Sequence, residues 1–189
     1  MLGQTRNLAL VVRIRRMLKS LSIVVLVAAT AACGGAKTSG TKPTVVADPA
    51  SAFGPLQEGA DYQTYTKMSK APFASPTHGG RDVEVWVNAA GVEAYKKGEP
   101  SPAGTIIVKS STEKADDGST IPGPLFVMSK KDKDWSYALY WEKPSAKWIK
   151  QLGGPVYWRT PSPKAAYCVE CHENYDNELG GVPEEARAW

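Results

Sequence analysis

Cysteine and histidine are scarce in this sequence: three cysteines and two histidines, His78 and His172, among 189 residues. If Cys33 belongs to an export signal, two of each remain, enough on paper for one four-ligand zinc site and no more. Acidic residues are missing altogether from positions 1–32, where Arg6, Arg13, Arg15, Arg16 and Lys19 stand. Beyond that stretch 18 basic face 19 acidic side chains, so the formal charge of +4 belongs to the N-terminal segment. That excludes a basic nucleic-acid-binding surface on the rest of the chain. A membrane-spanning run is also lacking at this end, because the apolar stretch 21–32 is too short to cross a bilayer comfortably. No internal repeat is found.

What is present at the N-terminus has the layout of an export signal, a basic stretch ending at Lys19 followed by L-S-I-V-V-L-V-A-A-T-A-A. The small residues T-A-A before Cys33 and Gly-Gly after it resemble the lipobox of bacterial lipoproteins, although Thr30 stands where that pattern usually has leucine. A start at Met17 would give a more typical signal, and Arg15-Arg16 invites a twin-arginine reading. Of the two export routes, an unfolded crossing fits better. The expectation is a lipoprotein signal peptide over 1–32, lipidation at Cys33, and a flexible linker over 33–55 rich in Gly, Pro, Ser, Thr and Ala. This implies a periplasmic, membrane-anchored protein of the bacterial cell envelope, held through its lipid. The alternative is a soluble secreted protein with Cys33 removed.

The globular domain is expected over 56–189. Leu56, Tyr62, Tyr65 and Met68 recur at mostly helical spacing, predicting a helix over 56–69. Val83, Val85 and Val87 alternate with mostly polar partners over 82–88, which is strand patterning. A short helix over 89–98 closes at Gly98. Further strands are expected over 104–111, 125–130 and 135–142; in the last, Trp135, Tyr137, Leu139 and Trp141 share one side. The fold class is α+β, an antiparallel sheet core with a few short helices, the last carrying C-V-E-C-H.

That motif, residues 168–172, reads as covalent attachment of one haem c. Two thiols add to the porphyrin vinyl groups and the following histidine supplies an imidazole to iron. Positions i, i+3 and i+4 of a helix share a face, so Cys168, Cys171 and His172 can meet one haem edge together. Zinc is disfavoured, since adjacent Cys171 and His172 turn poorly onto one tetrahedral ion and no second close ligand pair exists. A redox C-x-x-C normally lies in a βαβ context, and a disulfide leaves His172 without a role.

The order A-P-F-A-S-P-T-H-G-G-R-D-V-E-V-W-V-N, A-Y-K-K-G, P-A-G-T-I-I-V-K, F-V-M-S-K-K, D-W-S-Y-A-L-Y-W and C-V-E-C-H resembles the cytochrome P-460 family, including its cytochrome c-prime-beta branch. The resemblance runs from about residue 56 to 176. It implies a sheet-based fold, a homodimer, and a five-coordinate haem with an open distal face. It also implies chemistry on hydroxylamine, with electrons passed to a partner cytochrome, or binding of nitric oxide. In the P-460 enzymes, oxidoreductases acting on hydroxylamine, a lysine closing the G-T-x-x-V-K strand is cross-linked to the porphyrin; here that residue is Lys109. Alternation puts Thr105, Ile107 and Lys109 on one face, while a strand-end lysine reaching solvent is the plain alternative.

The resemblance places Arg81 near the haem, where its planar fork would suit a propionate. Phe73 would cap the distal face, as phenylalanines do in the c-prime-beta branch. His78, in a Thr-His-Gly-Gly turn, is a candidate distal base or sixth ligand, with a solvent-exposed turn histidine as the alternative. Met68 and Met128 are candidate axial sulfurs whose spacing also suits core packing. A sixth ligand from this set would make a low-spin electron carrier. No motif fixes a distal carboxylate among Glu113, Glu142 and Glu170, and the ending D-N-E-L-G-G-V-P departs from the family's aspartate-then-aromatic ending. Trp135, Tyr137 and Trp141 are expected in the core or the haem wall.

Overall fold

The computed structural model describes residues 46–175 and 179–189. The signal-peptide, lipidation and early linker expectations, like Asp176 of the divergent ending, lie outside the described residues. One antiparallel sheet organises the domain: β1 (Thr66–Lys67), β2 (Phe73–Ser75), β3 (Arg81–Val87), β4 (Ile106–Lys114), β5 (Thr120–Pro122), β6 (Leu125–Lys131), β7 (Asp134–Trp141) and β8 (Val156–Arg159). The strand order is β1-β3-β4-β6-β7-β8, with β2 also beside β3 and β5 beside β4. Helices α1 (Val92–Lys97), α2 (Ala146–Leu152) and α3 (Ala166–His172) fill connections, so the fold is α+β as expected.

Valines at alternate positions make β3 strand-forming and give it one buried face, since successive side chains point to opposite sides. α1 buries Val92 and Tyr95, three residues apart, and ends at Gly98 in the left-handed conformation. The pairings run Val85 to Lys109, Lys109 to Phe126, Phe126 to Leu139 and Leu139 to Trp158. Directly paired residues share a sheet face, so this row crosses five strands on one side. A second row, Val87, Ile107, Met128 and Tyr137, lies on the same face and packs with Met68, Val85, Val92, Tyr95, Leu179 and Val182 as the main core.

The helix expected over 56–69 does not form. Gly59 takes a left-handed φ of 77° where a Cβ would stand 2.7 Å from Val108 Cγ2. The chain lies there against the sheet's other face, makes a 3-10 turn at Tyr62–Thr64, and joins the sheet edge as β1. Met68 and Ser69 continue along that edge, where Met68 N–H donates to Val85 and Ala188 N–H to Met68. Edge pairing outweighs a modest helical propensity.

Residues ahead of position 56 also dock on the sheet. Asp48 accepts hydrogen bonds from Ser51, Ser162 and Ala50 N–H, Arg159 donates to the carbonyls of Pro49 and Ala52, and Phe53 stacks on Tyr140. α2 and β8 were not revealed by the sequence pattern; β8 forms the sheet edge beside β7, and Trp148 of α2 packs against Trp141. Among the described residues no helix is long and apolar enough to cross a membrane.

Candidate functional site

The row of side chains from Lys109 to Trp158 forms the floor of a cavity of about 940 Å³. That volume lies near the upper end of the ~300–1,000 Å³ typical of ligand pockets. The roof and sides come from β2 and the turn after it, from α3, and from the C-terminal segment 179–187. That segment is held by hydrogen bonds from Lys70 N–H to Ala186 and from Ala188 N–H to Met68.

α3 carries the motif residues on one face. Cys168 and Cys171 are free thiols, half-buried, and His172 is buried; all three line the cavity. Burial raises the Cys168 pKa. Tyr137 on the floor packs on the His172 ring with centroids 5.4 Å apart, and Tyr175 lies 6.1 Å from it. Among the described residues, no three His, Cys, Asp or Glu side chains gather as a zinc site requires. The antiparallel sheet supplies no βαβ unit for a redox C-x-x-C.

Lys109 lines the same cavity from β4 and is buried. No carboxylate among the described residues pairs with it. Burial pushes its ammonium down to about 8, against a smaller upward pull from Cys171. Phe73 on β2 lines the cavity and packs against the core.

His78 ends the turn Pro76–His78, and its ring enters the cavity. Its Nδ1 lies 2.7 Å from Ser75 Oγ and 3.3 Å from Thr77 Oγ1. The ring meets Phe126 edge-on at 4.7 Å and His172 at 6.4 Å between centroids. Burial first, then Lys109 and His172, push its pKa down to about 3, so the ring is neutral at pH 7.

Arg81 is not among the residues lining the cavity. It shares the sheet face of Lys109 but sits four residues along β3 from Val85, the partner of Lys109, about 13 Å away. Its guanidinium packs on Trp141 and Trp148, at 5.1 and 5.0 Å from their centroids, the two rings being 5.6 Å from each other. It pairs with Glu113 at 3.1 Å, and Trp148 Nε1 donates to the same carboxylate at 2.9 Å. One nitrogen of the fork is held by Glu113, while Nη1 makes a long hydrogen bond of 3.4 Å to the His78 carbonyl. Gly79, at φ 77°, allows this approach; a Cβ there would stand 2.1 Å from Nη1.

Met68 is core, whereas Met128 is both core and cavity floor. Glu113 is bound to Arg81, and Glu142 and Glu170 are exposed. No Asp or Glu is among the described residues lining the cavity. Phe126 and Trp158 line the floor without having been singled out in the sequence, and Leu139 figures there only as one side of a strand. Their shared row with Lys109 is the signal that finds them, and it needs the strand register.

A family model, Cytochrome P460, matches residues 59–178, well over half of the chain. No curated protein matches the chain.

Proposed function

The chain belongs to the cytochrome P460 family, and on that premise we propose that this cavity holds one covalently attached haem c. Its free side would take a small nitrogen species, nitric oxide or hydroxylamine. The observation that carries the reading is convergence: Cys168, Cys171 and His172 from α3, Lys109 from β4, Phe73 from β2 and His78 from the turn line one cavity of about 940 Å³. The donor set suits the group, with two free thiols three residues apart and a buried imidazole directly after them.

When bound, the haem supplies a redox-active iron able to bind small nitrogen ligands. Cys168 and Cys171 would hold it and His172 would supply an imidazole to its iron, with Tyr137 packed on that ring. Phe73, Phe126, Met128 and Leu139 make part of the wall apolar, and a haem seated on them would displace water and strengthen the field of Lys109. With its pKa lowered to about 8, Lys109 is mostly cationic at pH 7 but carries an appreciable amine fraction. In the P-460 reading this amine would lie beside the porphyrin. Nitric oxide has no proton to lose, so it demands less of a lining without a described carboxylate than hydroxylamine does. The export signal and Cys33 would place this chemistry at the envelope membrane, within reach of a partner cytochrome.

The test is protein matured in a periplasm with covalent haem assembly. Saturable spectral change of the ferrous protein with nitric oxide supports binding. Catalytic reduction of an acceptor cytochrome by hydroxylamine supports the oxidoreductase reading. No response to either contradicts the proposal.

A further inference from the structure

Lys109, Lys164 and Arg187 line the cavity, and no described carboxylate does. Lys164 and Arg187 are exposed, whereas Lys109 is buried in the middle of the sheet, on a strand paired to β3 on one side and β6 on the other. No carboxylate among the described residues pairs with its ammonium. The other acids of the lining supply no counter-charge once haem is attached. Tyr137, Tyr167 and Tyr175 stay neutral near pH 7, and attachment turns the Cys168 and Cys171 thiols into neutral thioethers. Haem brings its own two propionates, ionised groups that stay hydrated at the solvent edge, and the exposed Lys164 and Arg187 are the lining cations that suit them. Ferric iron in a dianionic porphyrin keeps a net positive charge, which adds to that of Lys109.

We propose that the cavity is selective for a small anion, nitrite being the nitrogen species of that charge, and that Lys109 is its counter-ion. The inference rests on the haem reading above and extends it from neutral ligands to an anionic one. A buried ammonium without a partner is costly, and an anion brought in beside it removes that cost. A neutral ligand such as nitric oxide does not. The step is binding alone: a lone pair of the anion enters the free position on the iron, any water there leaves, and no electron is transferred.

The test is spectral titration of the ferric, periplasmically matured full-length protein with nitrite and with azide. The parent is compared with Lys109→Met, Lys109→Arg and Lys164→Met. Lys109→Met should bind both anions at least about tenfold more weakly, and Lys109→Arg should recover most of that loss. Lys164→Met should change either affinity by less than about threefold, because solvent screens an exposed charge. Nitric oxide, titrated into the ferrous protein, should bind all of them within about threefold. Anion affinity unchanged in Lys109→Met overturns the inference. So does an equal loss of nitric oxide affinity, which would mean that Lys109 shapes the cavity and does not supply charge. Haem found bonded to the Lys109 peptide by mass analysis overturns it too, since that nitrogen is then no free ammonium. Absence of covalent haem overturns the haem reading and the inference with it, a result distinct from the other three.

Discussion

Arg81 and Lys109 are two buried cations on the same face of neighbouring strands, 8% and 7% exposed. Their surroundings are opposite. Arg81 has a carboxylate at 3.1 Å and two adjoining indoles against its guanidinium, and the Trp148 N–H donates to the same carboxylate. Lys109 faces a cavity with two thiols and two imidazoles and no described carboxylate partner. A buried charge with its counter-ion in place is a structural device, while one without a counter-ion is tolerated where a site needs it. The pair teaches that burial of a cation alone does not mark function; what it faces does.

The sharpest way to break this contrast is to remove what Lys109 faces. Cys168→Ala combined with Cys171→Ala should abolish covalent haem entirely, read as loss of haem staining on a denaturing gel, while the fold persists. Next, Glu113→Gln strips Arg81 of its counter-ion and should cost about 3–5 kcal/mol, lowering the apoprotein Tm by about 10 °C or more without preventing haem attachment.

The converse change, Lys109→Met, should leave apoprotein stability equal or higher, because it removes a desolvated charge. It should also abolish a pH dependence. With its pKa lowered to about 8 from 10.5 in the fold, Lys109 binds its proton more tightly in the unfolded chain. Apoprotein stability therefore rises as pH climbs from about 8 to 10.5, by about 3 kcal/mol over the full span. Denaturant titrations across that window should show the rise in the parent and its loss in the variant.

Gly79→Ala joins the two regions, since its Cβ would press on Arg81 and strain the turn that carries His78. A cost of about 1–3 kcal/mol is expected, with a haem spectrum altered more than by Glu113→Gln. The smallest effect is expected from Asp48→Ala. It should loosen the docked segment at residues 48–55, visible as faster proteolysis there with an unchanged spectrum.

The elements that read cleanly in the sequence are those whose pattern is local. Alternating valines announced β3, Gly98 closed α1, and the i, i+3, i+4 spacing put Cys168, Cys171 and His172 on one helical face. G-T-I-I-V-K announced a strand, and its alternation placed Lys109 on the same face as core Ile107. What stayed hidden depends on distance. Residues 56–69 have helical spacing, but Gly59 must lie against Val108 and Met68 must pair with β3. Arg81 is on the expected sheet face yet about 13 Å along it, where Glu113 and Trp148, distant in sequence, claim it. Phe126, Leu139 and Trp158 join Lys109 only through a register that no single strand encodes. His78 sits in a turn whose composition says nothing of where its ring points, and Ser75, Phe126 and His172 settle that.

The most direct test is peptide mass analysis of the full chain matured in a periplasm with covalent haem assembly. The account predicts that the peptide spanning residues 168–172 carries one haem on Cys168 and Cys171. Both cysteines recovered as unmodified thiols, from protein that is folded and was offered haem, would contradict it.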